Sequence, residues 1–267
     1  FSMLWRGGFG GTENIDAIYR TLMREGLPSE KILPMAKRPK DELGAVSLHS
    51  LKRVLWAKLL DKFPDREAWV KAAARVPIYG HSREVAKFLL IVASDDATLD
   101  PAPANSGLIV RGTKGLASTI RTAAWRADNH FSVEHIAPQA AKSAGWDEAL
   151  YDDPGLINRL GNLTLMPGAA NGYMSNRPWK QKWLLYRYFC SETQAEAEAL
   201  YATFPGHGLT VSASGDAVLG KSEYMPMVKA IGAYNALSQE WDVDIVERRS
   251  IRLAELAYDR IIGWLHP

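Results

Sequence analysis

The apolar positions of the first ninety residues repeat at the 3.6-residue period of helices. Ile15, Ile18, Tyr19, Leu22 and Met23 form one stripe behind Thr12, and Leu48, Leu51, Leu55 and Leu59 form another behind Ser47. Two further amphipathic stretches, Asp65 to Arg75 and Ser82 to Val92, predict helices whose apolar faces are core; Val85, Phe88, Leu89 and Val92 line the second. Pro28, Pro34, Pro39 and Pro77 punctuate this region. Gly7-Gly8-Phe9-Gly10-Gly11 follows no strand and lacks the Gly-Lys-Ser/Thr ending, so it predicts a flexible entry rather than a phosphate loop. Asp95 to Gly107, with Pro101, Pro103, Asn105 and Ser106, predicts a loop, either a boundary or a surface excursion.

After a short helix candidate at Leu116 to Arg126, the period changes. Phe131-Ser132-Val133-Glu134-His135-Ile136 alternates like a strand and stops at Pro138. Leu160 to Met166 is a second apolar run, stopped by Pro167-Gly168. A helix from Arg177 to Phe189 is expected behind a Ser175-Asn176 cap, with Pro178 in its first turn. Helices return at Gln194 to Phe204 and at a last segment with a stripe of Leu253, Leu256, Ala257, Ile261 and Trp264. The fold expected is mainly α with a small embedded strand, strand, helix unit near residues 131 to 189. A helical region over residues 1–90 would precede a domain over 91–267.

Composition changes this picture little. The 267 residues are 47% hydrophobic and 23% charged, an ordinary globular balance that excludes disorder and coiled coil. No uncharged apolar run is long enough to span a membrane. With one cysteine, Cys190, no internal disulfide forms, and a reducing cytoplasm is the expected compartment. The chain begins with Phe1 rather than methionine, which suggests a piece of something longer. Charge is more telling in its distribution than in its sum of +2. Arg159 to Cys190 holds five cations (Arg159, Arg177, Lys180, Lys182 and Arg187) and no acid, whereas Ser191 to Pro267 holds eleven acids against six Lys and Arg. A basic block before an acidic tail suggests a polyanion-binding surface on one piece, with a solvated surface as the plain alternative.

The strand, strand, helix unit also gathers the candidate chemistry. A phosphodiester hydrolase needs a base for the attacking water and positive charge on the phosphate. His135 is a candidate base, and Glu134 with Asn171 offers the oxygen ligands that Mg2+ or Mn2+ prefers. Neighbours on a flat strand point to opposite faces, so Glu134 and His135 converge only where the strand breaks before Pro138. An ion pair with Arg159 or Lys182 is the alternative for Glu134. The other histidines lack metal-spaced partners, and Cys190 has no nearby histidine to activate it.

The run Val133-Glu134-His135-Ile136-Ala137-Pro138-Gln139, then Arg159-Leu160-Gly161-Asn162-Leu163-Thr164-Leu165, then Asn171, Ser175-Asn176-Arg177-Pro178 and Lys182, resembles the C-terminal nuclease domain of GmrSD-type modification-dependent restriction endonucleases. SspE-like phage-defence proteins, which respond to phosphorothioate DNA, share that domain. The resemblance implies an HNH-like ββα-metal, or His-Me finger, nuclease that cuts phage DNA beside a nucleotide-dependent sensor module of the same polypeptide. It implies His135 as general base, Asn162 as the asparagine holding the loop between the strands, and Glu134 and Asn171 as ligands of a divalent ion. Asn176 matches a recurrent position, for which helix capping is the plain reading, and Arg159, Arg177, Lys180 and Lys182 are candidate DNA contacts. The alternative is a noncatalytic DNA-binding or regulatory module on the same scaffold.

Overall fold

A computed structural model describes residues 1–26, 48–120, 123, 126–127, 132–140, 145–212, 215 and 226–267. The Pro28, Pro34 and Pro39 breaks, the Ser47 cap, Phe131 and His130 lie outside them. Helices make up most of the structure, in this order: α1 (Ser2–Phe9), α2 (Ile15–Glu25), α3 (Leu48–Lys62), α4 (Arg66–Ala73), α5 (Ile78–His81) and α6 (Arg83–Ser94). A hairpin of β1 (Ala97–Leu99) and β2 (Ile109–Arg111) comes next, then β3 (Ser132–His135), β4 (Leu163–Met166), α7 (Gly168–Met174), α8 (Trp179–Phe189), α9 (Gln194–Thr203), α10 (Pro226–Ala233) and α11 (Val243–Leu265).

Local chemistry sets the helix starts. Asp65, Ser82 and Asp242 each turn a side-chain oxygen onto a first-turn backbone N–H, at 2.7 Å from Ala68, 3.4 Å from Val85 and 3.0 Å from Ile245. Helix α11 organises the packing: it lies against α1, α3, α4, α6 and β2, and against the turn Leu160–Asn162 that leads into β4. The early helices and the later chain thereby share one apolar core running from Leu4 to Leu265.

Five expectations are corrected. The glycine-rich start is helix α1, because Gly7 and Gly8 have no side chain to hold off Trp69 and Phe63, and this close packing offsets the helix-weakening effect of glycine. The Asp95 to Gly107 loop contains β1 and a 3-10 turn (Pro103–Asn105), since Ala97, Leu108 and Ile109 are buried and pull the segment into an antiparallel pair, Ala97 opposite Arg111. Leu116 to Ile120 is turn and irregular chain held by the Asp95 and Asp96 carboxylates, and most of the rest of that helix candidate lies outside the described residues. Trp264 is exposed, and Leu265 takes its place in the α11 stripe. Pro178, rather than Asn176, stands at the start of α8, with no side-chain cap bond; Asn176 is exposed in the link from α7.

Candidate active site

Strands β3 and β4 pair antiparallel, with Ser132 opposite Met166, Glu134 opposite Thr164 and His135 opposite Leu163. Asn162, fully buried at the entry to β4, ties this unit to the chain just past β3. Its Oδ1 accepts from Ala137 N at 2.8 Å and from Trp241 Nε1 at 3.2 Å, while its Nδ2 donates to the carbonyls of Ala137 at 2.8 Å and Ile157 at 2.9 Å. The chain beyond His135 is thus clamped to the turn before β4 by one amide with every polar atom used.

Close packing requires the glycine before it. A Cβ at Gly161 would overlap the Val246 carbonyl, and Gly161 N donates to Ser250 Oγ at 2.9 Å, so the turn sits directly on α11. From the same helix Arg249, fully buried, donates to the carbonyls of Gly161 at 2.8 Å and Gly107 at 2.6 Å and lies over Trp241. Burial among carbonyls, with no carboxylate bonded to it, pulls its guanidinium down to about 10.

His135 is 8% exposed at the end of β3. Its Nε2 lies 3.1 Å from Asn158 Oδ1, an oxygen that also accepts from Gln139 Nε2 at 3.2 Å. Acceptance by Asn158 makes Nε2 the protonated nitrogen and leaves the basic lone pair on Nδ1. The ring meets Tyr79 of α5 edge to face, centroids 4.4 Å apart. Burial holds the imidazole down to about 4, against the upward pull of the Asn158 bond and with the help of the charges on Lys182 and Arg83, so it is neutral at physiological pH. Asn158 and Tyr79 are neighbours of the candidate base that sequence reasoning missed. Gln139 ends one recognised run and Asn158 directly precedes the other, but no spacing rule pairs them, and Tyr79 comes from a four-residue helix in a region whose pattern predicts only core.

Glu134 and His135 leave the strand on opposite sides, as the strand pleat requires. Glu134 turns inward to Lys182 of α8, whose Nζ lies 2.6 Å from its Oε1 and also donates to the His135 carbonyl at 2.8 Å. Both side chains are almost wholly buried. Burial pushes the carboxyl up, to about 7, and the ammonium down, and each charge works against the other's shift. Lys182 is therefore a strut from α8 to the backbone of the candidate base, out of reach of DNA. Asn171 sits on α7 beside β3, where its Nδ2 donates to Ser132 Oγ at 2.9 Å and the Val133 carbonyl at 3.1 Å.

For the divalent ion expected from the sequence, the donor set in this arrangement is closed. The Glu134 carboxylate already holds an ammonium, and among the described residues no three of His, Cys, Asp and Glu gather as a metal site. The residues as they stand do not fit Mg2+ or Mn2+ unless Lys182 gives way.

The basic block also disperses. Arg159, only 15% exposed, pairs with Asp153 at 2.6 Å and with Glu247 of the acidic tail at 3.8 Å. Arg177 donates to the Tyr173 carbonyl and lies over that ring at 4.8 Å. Lys180 is exposed, at a cavity of about 520 Å³ that Asp147, Glu240 and Asp242 also line. Block and tail thus partly neutralise each other, and of the four candidate DNA contacts only Arg177 and Lys180 reach solvent without a salt bridge among the described residues.

Residues 108–256 match the family described as GmrSD restriction endonucleases, C-terminal domain. No curated protein matches the chain. Among the described residues no helix is long and apolar enough to cross a membrane.

Proposed function

The chain belongs to the C-terminal domain family of the GmrSD restriction endonucleases, and on that premise we propose that it is a DNA endonuclease of HNH type, in which β3, β4 and the helices after them form a His-Me finger unit. His135 Nδ1 takes a proton from water as the water oxygen bonds to phosphorus. The bond from phosphorus to the 3′ oxygen breaks, the 3′ oxygen takes a proton from solvent, and a 5′-phosphate and a 3′-hydroxyl result. The imidazolium returns its proton to solvent. Phage DNA as the target, a nucleotide-dependent sensor module in the same polypeptide and a cytoplasmic location complete the proposal.

The observation that carries this reading is a buried imidazole at a strand end, its Nε2 against Asn158 Oδ1 and its own backbone carbonyl held by Lys182; burial there favours the neutral ring that a base requires. Mg2+ or Mn2+, when bound, would add positive charge at the phosphate, but Glu134, paired with Lys182 on the side of β3 away from His135, does not fit as its ligand. The buried Glu134 and Lys182 pair is what favours the alternative, a noncatalytic module.

Incubation of the chain with supercoiled plasmid, with Mg2+ or Mn2+ and with chelator, separates these readings. The wild type should produce open circles in metal, and His135→Ala should be slower by at least about 10²-fold, the scale of a general-base contribution, with DNA binding kept. Cleavage by His135→Ala at the wild-type rate would remove the base assignment. Cleavage in chelator would remove the metal, and DNA binding without cleavage by the wild type would favour the noncatalytic module.

A further inference from the structure

The cations nearest the family motif are engaged elsewhere: Lys182 is in the core and Arg159 is paired with two carboxylates. Yet a phosphodiester under attack gains negative charge, which a positioned cation beside the base would stabilise. Such a cation arrives from outside the family-matched stretch. Arg83, the first residue of α6, is exposed, and its guanidinium lies over the Tyr79 ring at 5.2 Å from the centroid. Tyr79 is the same ring that meets His135 at 4.4 Å, so the guanidinium and the base share one aromatic neighbour. The corner of α5 and α6 is packed against the turn that carries Asn158, which fixes this juxtaposition.

We propose that Arg83 is a further catalytic residue, whose guanidinium binds the phosphodiester attacked at His135. Among the described residues no carboxylate ion-pairs with it, and the adjacent Glu84 acts on Lys87, one turn along α6. A guanidinium presents two parallel N–H groups that match two phosphate oxygens, a geometry an ammonium lacks. The N-terminal end of twelve-residue α6 adds its dipole in the same sense.

This inference rests on the nuclease reading, and two measurements keep their failures apart. In the plasmid assay Arg83→Ala should nick about 10²-fold more slowly than the wild type, Arg83→Lys should recover part of the loss, and added guanidinium ion should rescue Arg83→Ala but not His135→Ala. In metal-free binding of a short duplex followed by fluorescence anisotropy, Arg83→Ala should reduce the log–log salt slope by about 0.9, one phosphate contact. An active wild type with an unaffected Arg83→Ala variant overturns the inference and leaves the nuclease standing. An inactive wild type overturns the nuclease reading and with it the catalytic role, and an unchanged salt slope then also removes Arg83 as a phosphate contact. Arg83 is exposed, so circular dichroism of both variants should match the wild type.

Discussion

At the scale of single residues, His135 joins a recognisable motif to an environment the motif does not describe. Its ordinary value in an unfolded chain is 6.5, and in the fold burial holds it to about 4. Between those values the unfolded state binds more protons, so stability rises with pH there, is fully present above about 6.5, and is lost as pH falls toward 4. Urea unfolding at pH 7 and at pH 4 should show the wild type losing about 3 kcal/mol more than His135→Gln, since each pKa unit corresponds to roughly 1.4 kcal/mol. By NMR the imidazole should still be neutral at pH 5.5, and titration near 6.5 would show that the ring is not held as described. His135, Glu134 and Asn162 are legible in the sequence because their residue types and order are unusual together. Asn158 and Tyr79, which meet His135, and Arg83, which lies over the Tyr79 ring, are not, because they come together only once α5 has folded over the turn that carries Asn158, and no local pattern encodes that meeting.

At the scale of elements, the join between α8 and β3 is the buried pair of Lys182 and Glu134. Truncating one partner of such a pair leaves an uncompensated charge and costs about 3–5 kcal/mol, whereas replacing both with groups of similar volume can be nearly neutral. Lys182→Met should therefore lower Tm sharply, and Glu134→Gln combined with Lys182→Met should recover much of the loss. Simple additivity of the two changes would mean that the pair does not act as a unit. Arg177→Ala and Lys180→Ala should leave Tm nearly unchanged and act instead on the salt dependence of DNA binding. The helical stripes of α2, α3, α4 and α6 are readable from period alone, as is the strand character of β3. The sequence misleads at the cap of α8 because Ser175 and Asn176 are good capping types, while the backbone turns at Ser175, with φ at 47°, and begins the next helix only at Pro178. Helix α1 and the first hairpin escape a pattern-based reading because tertiary packing, at Gly8 against Phe63 and at Ile109 in the core, overrides their glycine- and proline-rich composition.

At the scale of the molecule, one chain contains one Glu134-His135 run, one Asn158 and one Arg83, and hence one candidate centre. A single imidazole aligns one water with one phosphodiester. The scissile phosphate of the opposite strand runs antiparallel and lies across the duplex, so reaching it requires a second centre related by approximate two-fold symmetry, or release and rebinding. Helix α11 gives the centre no internal means of turning round: it binds the turn at Gly161, the hairpin through Arg249 and Gly107, and helices α1, α3, α4 and α6 into one core, so the site moves only with the whole body. At limiting protein, open-circular plasmid should therefore accumulate before linear DNA appears, and linear product should rise with a lag. Raising the protein concentration should shorten that lag more than in proportion if two copies act together on one duplex, and only in proportion, with both phases sped equally, if one copy cuts twice. Linear DNA formed directly from supercoiled substrate by a demonstrated monomer, at first order in protein and with no open-circular intermediate, would require a second hydrolytic centre in this chain and would contradict the reading of one base and one phosphate clamp.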